Sequence, residues 1–62
     1  MRSSEIIAKL EAAGWEHRRT KGSHYIMGKV GKYPVVVPHP TKDVYIEIIK
    51  RIEKQSGVKL RE

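Results

Sequence analysis

The sequence contains no cysteine, which excludes a disulfide framework, the usual support of secreted domains this small, and every thiolate zinc site. The cytoplasm is the expected compartment, with neither metal nor cofactor required. Long apolar runs are also missing, none exceeding the length of Val35-Val36-Val37, and Met1-Arg2-Ser3-Ser4-Glu5 lacks the apolar region of a signal peptide. No membrane association is expected. There is no glycine-rich phosphate loop, no carboxylate pair, and no zinc-finger or RRM signature. The 62 residues, 39% of them hydrophobic, suffice for one domain over 1–62 with one thin core, since chains of this length bury only roughly 60% of their unfolded surface. A nucleotide-binding α/β domain or a barrel does not fit, so any active site must be shallow.

Acids are missing from one stretch in particular. The chain carries 13 Lys and Arg against 7 Asp and Glu, a formal charge of +6, with a pI near 9.9. Between His17 and Lys42 stand Arg18, Arg19, Lys21, Lys29, Lys32 and Lys42 without a single carboxylate. Charge clustered in this way attracts a polyanion.

Residues 3–13 place Ile6, Ile7, Leu10 and Ala13 on one helical face. Ser3 or Ser4 is the expected N-cap, and Gly14 supplies a left-handed stop that sets Trp15 against Leu10. From Trp15 the period becomes two. Residues 15–20 read as a strand, Lys21-Gly22 as a turn with Gly22 at a left-handed bulge position, and 23–28 as a second strand. Lys32 to Pro38 reads as a third strand, made an edge strand by Pro34. Pro38-His39-Pro40-Thr41-Lys42 is a connector, after which Asp43 caps a second helix bearing Tyr45, Ile48, Ile49 and Ile52 and closed by Gly57. Residues 58–62 dock through Val58 and Leu60 or fray.

The expected fold is α+β in the order α-β-β-β-α, a three-stranded antiparallel sheet with both helices on one face and the middle strand in the centre. Alternation turns Tyr25, Met27, Val35 and Val37 toward the helices and His24, Ile26 and Val36 outward. On the first strand it turns His17 and Arg19 inward with Trp15, a conflict that a bulge or a short strand would relieve.

His24 combines solvent exposure, a Lys-Gly-Ser turn before it and basic neighbours. Such an imidazole can move a proton near neutral pH while Lys and Arg hold a phosphodiester. RNA cleavage suits the arrangement because the ribose 2′-hydroxyl is a built-in nucleophile. Lys21 is placed to hold the scissile phosphate, and Arg18, Arg19, Ser23 and Lys42 to contact the RNA, with affinity falling steeply with salt. His39, stiffened by two prolines, is a candidate auxiliary proton-transfer group. By residue type alone, His24 also reads as an ordinary surface residue, His39 as a structural one, and the Lys and Arg as a solubilising surface. A non-catalytic RNA-binding module and an interaction protein for an acidic partner are the rival readings.

Lys21-Gly22-Ser23-His24, the Val-Val-Val strand, Pro38-His39-Pro40, Lys42-Asp43 and Lys54-Gln55-Ser56-Gly57, together with Ser3-Ser4-Glu5-Ile6-Ile7 and Gly14-Trp15, resemble the HicA family of toxins over residues 3–57. The resemblance implies a fold similar to the double-stranded-RNA-binding domain. It also implies a metal-independent mRNA interferase held inactive by a HicB antitoxin, forming a homo-oligomer only within the toxin–antitoxin complex, if at all. The family's catalytic histidine falls on His24. Two positions depart from the family pattern: Tyr25 stands where a second His is frequent, and Glu47-Ile48 where a Gly-Thr pair commonly opens the second helix.

Overall fold

The computed structural model describes residues 1–61. Its elements are α1 (Ser3–Ala12), β1 (Glu16–Lys21), β2 (His24–Gly28), β3 (Val35–Pro38) and α2 (Ile46–Ser56). The strands form one antiparallel sheet in the order β1-β2-β3. Met27, Val35 and Val37 are fully buried in one cluster with Ile6 and Leu10 of α1, Ile49 and Ile52 of α2, and Trp15. Both helices therefore cover one face, called here the inner face. Each large side chain fully withdrawn from water contributes about 1.5–3 kcal/mol before the entropy of ordering is counted.

α1 stops as its sequence requires. Gly14 adopts φ +95°, the Trp15 N–H donates to the Leu10 carbonyl, and the Gly14 N–H donates to that of Glu11, both at 3.0 Å. These are the two bonds of a Schellman motif, and they carry Trp15 into the core beside Leu10. α2 ends on Gly57 at φ +73°, whose N–H donates to Glu53.

The starts of both helices differ from expectation. Arg2, not a serine, occupies the N-cap position of α1, and the Glu5 carboxylate accepts its backbone N–H at 2.9 Å. Ser3 is buried and engaged elsewhere: its Oγ accepts the Thr41 N–H at 2.9 Å and is hydrogen-bonded to His39 Nδ1 at 2.6 Å. Its own N–H donates to the Thr41 carbonyl. Ser3 is thus a latch between α1 and the Pro-His-Pro connector. α2 begins at Ile46 with Tyr45 at the N-cap position, three residues beyond Asp43. Val44 is drawn into the core and its N–H donates to the Met1 carbonyl, which keeps residues 43 and 44 out of the helix. β3 also begins later than expected, at Val35, because Pro34 brings no donor. The tail docks: Leu60 is buried, and the Glu53 carboxylate accepts the Leu60 and Arg61 N–H groups and pairs with the Arg61 guanidinium at 2.8 Å.

Two measurements test these contacts. Ser3→Ala leaves the Thr41 N–H without its acceptor and should lower stability in urea by about 1–3 kcal/mol. Hydrogen exchange should accelerate at Thr41 but not at Glu5 or Ile6; selective acceleration at the latter two would restore the N-cap reading. Glu53 is held well below its ordinary 4.5, at about 2, first by the Arg61 side-chain hydrogen bond and then by the Leu60 and Arg61 N–H groups. A depressed folded-state value makes the contribution complete above the unfolded value and loses it as pH falls toward 2. The Tm gap between wild type and Glu53→Gln should therefore narrow from pH 5 to pH 2, whereas a constant gap would show that ionisation of Glu53 is not involved.

Candidate nucleic-acid surface on the open sheet face

Strand register assigns every side chain of the sheet to a face. Tyr25 lies opposite Val37 and Thr20, and Met27 opposite Val35 and His17, so these belong to the inner face. Ile26 lies opposite Val36 and Arg19, and His24 opposite Pro38 and Lys21, so these belong to the outer face, which no helix covers. The expected facing of β2 and β3 holds throughout.

On β1 the register slips between His17 and Arg19, leaving Arg18 as an extra residue opposite β2. The irregularity sits there and not at Gly22. This bulge resolves the conflict at Trp15: His17 keeps inward parity, and Arg19 is shifted outward. Arg18 also lies outward, because its Cγ and Nε come within 2.8 and 2.9 Å of where a Cβ on Gly28 would stand. Two consecutive arginines thus share one face, which an unbulged strand cannot achieve.

Lys21 and His24 close the hairpin on either side of Gly22-Ser23. Gly22 takes φ +58° and Ser23 does not enter the positive-φ region, the pattern of a two-residue turn with glycine first. Directly paired positions hold their Cβ atoms about 5 Å apart. His24 and Lys21 are both exposed, so the imidazole and ammonium share one solvent-facing site. The Ser23 carbonyl accepts the His39 N–H at 2.8 Å, which extends the β2–β3 pairing past Pro38 and stiffens the turn.

The other candidates are distributed differently. His39 has inner-face parity: its ring meets Tyr25 edge-on at 4.5 Å and its Nδ1 bonds Ser3. The sheet separates it from the imidazole of His24. Tyr25, the departure from the family pattern, is stacked on its other side by His17 at 4.0 Å, and His17 Nε2 is hydrogen-bonded to Thr20 Oγ1. Lys42 lies in the connector, lining a cleft with Arg2, Ser4 and His39 at the start of α1, apart from the outer-face cations. Lys29 donates its ammonium to the Ala13 carbonyl at 2.8 Å, completing the end of α1. Sequence reasoning did not single out Val30 and Tyr33, each 92% exposed on the β2–β3 loop. Apolar residues flanked by Lys29 and Lys32 were the available signal. Among the described residues no helix is long and apolar enough to cross a membrane, and no cluster of three or more His, Asp or Glu is positioned to hold a metal.

Comparison with known proteins agrees with this architecture. No curated protein matches the chain. A solved structure described as the HicA3 and HicB3 toxin–antitoxin complex contains a chain 33% identical to this one, with a TM-score of 0.80, covering 98% of this chain and 100% of that one. The family model for the HicA toxin of bacterial toxin–antitoxin systems matches residues 3–58, nearly the whole length, and the chain therefore belongs to the HicA toxin family.

Proposed function

We propose that this HicA-family toxin is an endoribonuclease of the mRNA interferase type, with His24 as its general acid–base group. The observation that carries the reading is the shared outer face: His24 stands across a two-residue turn from Lys21, with Arg18 and Arg19 on the same side of the sheet. A phosphodiester lying along that face meets cations and one proton carrier with no wall to cross.

The chemistry balances without a further reactant. His24 removes the proton from a ribose 2′-hydroxyl, the 2′-oxygen bonds to phosphorus, and the bond from phosphorus to the 5′-oxygen breaks. A 2′,3′-cyclic phosphate and a 5′-hydroxyl result, the leaving oxygen taking a proton from the imidazolium or from water. Lys21 offsets the charge that develops on the phosphorane oxygens, an electrostatic role that grows toward the transition state. Arg18 and Arg19 hold the flanking backbone and Ser23 shapes the turn. Lys42 and His39 contact RNA only where it wraps past the hairpin to the connector.

In the same reading the protein works in the cytoplasm and is neutralised by a HicB-like antitoxin, for which the HicA3 and HicB3 complex is the supporting precedent. A strongly basic face favours rapid capture by an acidic inhibitor.

Cleavage of a mixed-sequence mRNA by wild type and His24→Ala, in EDTA, tests the assignment. The variant should retain its fold and its affinity for non-cleavable 2′-O-methyl RNA while losing about 10²–10⁴-fold in cleavage rate. Undiminished cleavage by the variant would remove His24 from the chemistry. Binding without cleavage by the wild type would identify a non-catalytic RNA-binding module instead.

A further inference from the structure

The outer face has a second feature, at the end of β2 remote from His24. Arg18, Arg19, Ile26, Gly28, Val30 and Lys32 line a groove of about 360 Å³ with Pro34 and Lys29, within the size range of small-ligand pockets, ~300–1,000 Å³. Its construction alternates charge with apolar surface. Arg18 and Arg19 form the β1 wall, Lys32 stands on the loop side, and Ile26, Gly28 and Pro34 make the floor, with Val30 standing beside it. Neither Arg19 nor Lys32 has a carboxylate within 4.0 Å among the described residues, and Arg18 has only Glu16, at 3.4 Å in an exposed and therefore weak pair.

We propose that this groove is a subsite for a nucleotide flanking the cleaved bond, in which Arg18 and Lys32 take the phosphate and Val30 and Ile26 take the face of the base. The inference rests on the endoribonuclease reading and adds a binding position to it. A nucleotide is the ligand whose chemistry matches the lining, an anion joined to a flat apolar ring. The site is also correctly placed for a continuous strand: four residue steps along β2, at ~3.4 Å each, separate Gly28 from His24 by about 14 Å on the same face. Gly28 makes the groove possible, since any Cβ would drive into the Arg18 side chain. The bulge supplies Arg18 as an additional cation at the one place where the glycine leaves room for it.

The subsite makes recognition depend on RNA length. Cleavage of a tetranucleotide and an octanucleotide by the full chain, and binding of their 2′-O-methyl counterparts, should show a clear advantage for the longer RNA in the wild type. Lys32→Gln and Val30→Ser, both surface changes, should abolish that advantage and leave tetranucleotide cleavage unchanged. For the octanucleotide, Val30→Ser should cost about 5-fold in affinity, the effect of some 40 Å² of buried apolar surface. Lys32→Gln should lower the slope of log affinity against log salt by about 0.7, one phosphate contact on a single strand. Equal losses for both lengths, or no length dependence in the wild type, would overturn the subsite while leaving the endoribonuclease intact. Variants that bind RNA normally but lose a HicB-like antitoxin would assign the groove to the protein partner and overturn it equally. If the wild type neither cleaves nor binds RNA of any length, the functional reading itself fails.

Discussion

In a three-stranded sheet whose helices cover one face, strand parity determines which side chains the open face presents to a ligand. In β1 the parity is reset by a single extra residue. Strict alternation from His17 would turn Arg19 and Lys21 to the inner side, away from the open face. With Arg18 inserted, Arg18, Arg19 and Lys21 all face outward, and Thr20 takes the inner position opposite Tyr25. The bulge sacrifices regular pairing at one point of an exposed strand and leaves the core untouched. It converts a basic run in the sequence into a basic surface.

The same division separates three histidines of identical chemistry. His24 stands free on the outer face. His17 and His39 flank Tyr25 on the inner side, and His39 also bonds Ser3, which joins the connector to α1. An imidazole that is stacked and hydrogen-bonded resists reorientation, whereas one on a short exposed turn can meet a substrate. Tyr25 therefore has a structural explanation at the position next to His24: alternation along β2 turns it away from the open face and into the stack that braces the hairpin against the connector.

What was legible in the sequence was what local rules determine. Gly14-Trp15 announced the stop of α1 because a left-handed glycine followed by an apolar residue is a local device, and Tyr25, Met27, Val35 and Val37 were correctly faced because their strands run without irregularity. The bulge left only an indirect mark, the conflict between Trp15 and Arg19, since an inserted residue has no composition of its own. The misplaced helix starts share one cause. Ser3 and Asp43 are good caps by type, but Ser3 is bound to Thr41 and His39, and Val44 beside Asp43 is bound to Met1 and buried. Long-range partners outbid local preference. Of the candidate site, the Lys21–His24 pair was legible as a turn motif, while the separation of His39 from it required knowledge of the faces.

A shallow site on so small a body raises the question of precision, because catalytic groups must be held closely and a thin core offers little surrounding structure. The described chain measures only 28 × 27 × 17 Å. The proposed groups are nevertheless carried by strands and a two-residue turn, not by a long loop, and paired strands place side chains more reproducibly than loops do. Ser23 is tied to His39, His39 to Ser3, and Ser3 to Thr41, so the turn bearing Lys21 and His24 is anchored on its far side to α1. Rigidity is thus supplied from the inner face while the outer face stays open. For the proposed substrate, which brings its own nucleophile, an open platform with one proton carrier and fixed cations is sufficient, and enclosure would only exclude a long polyanion.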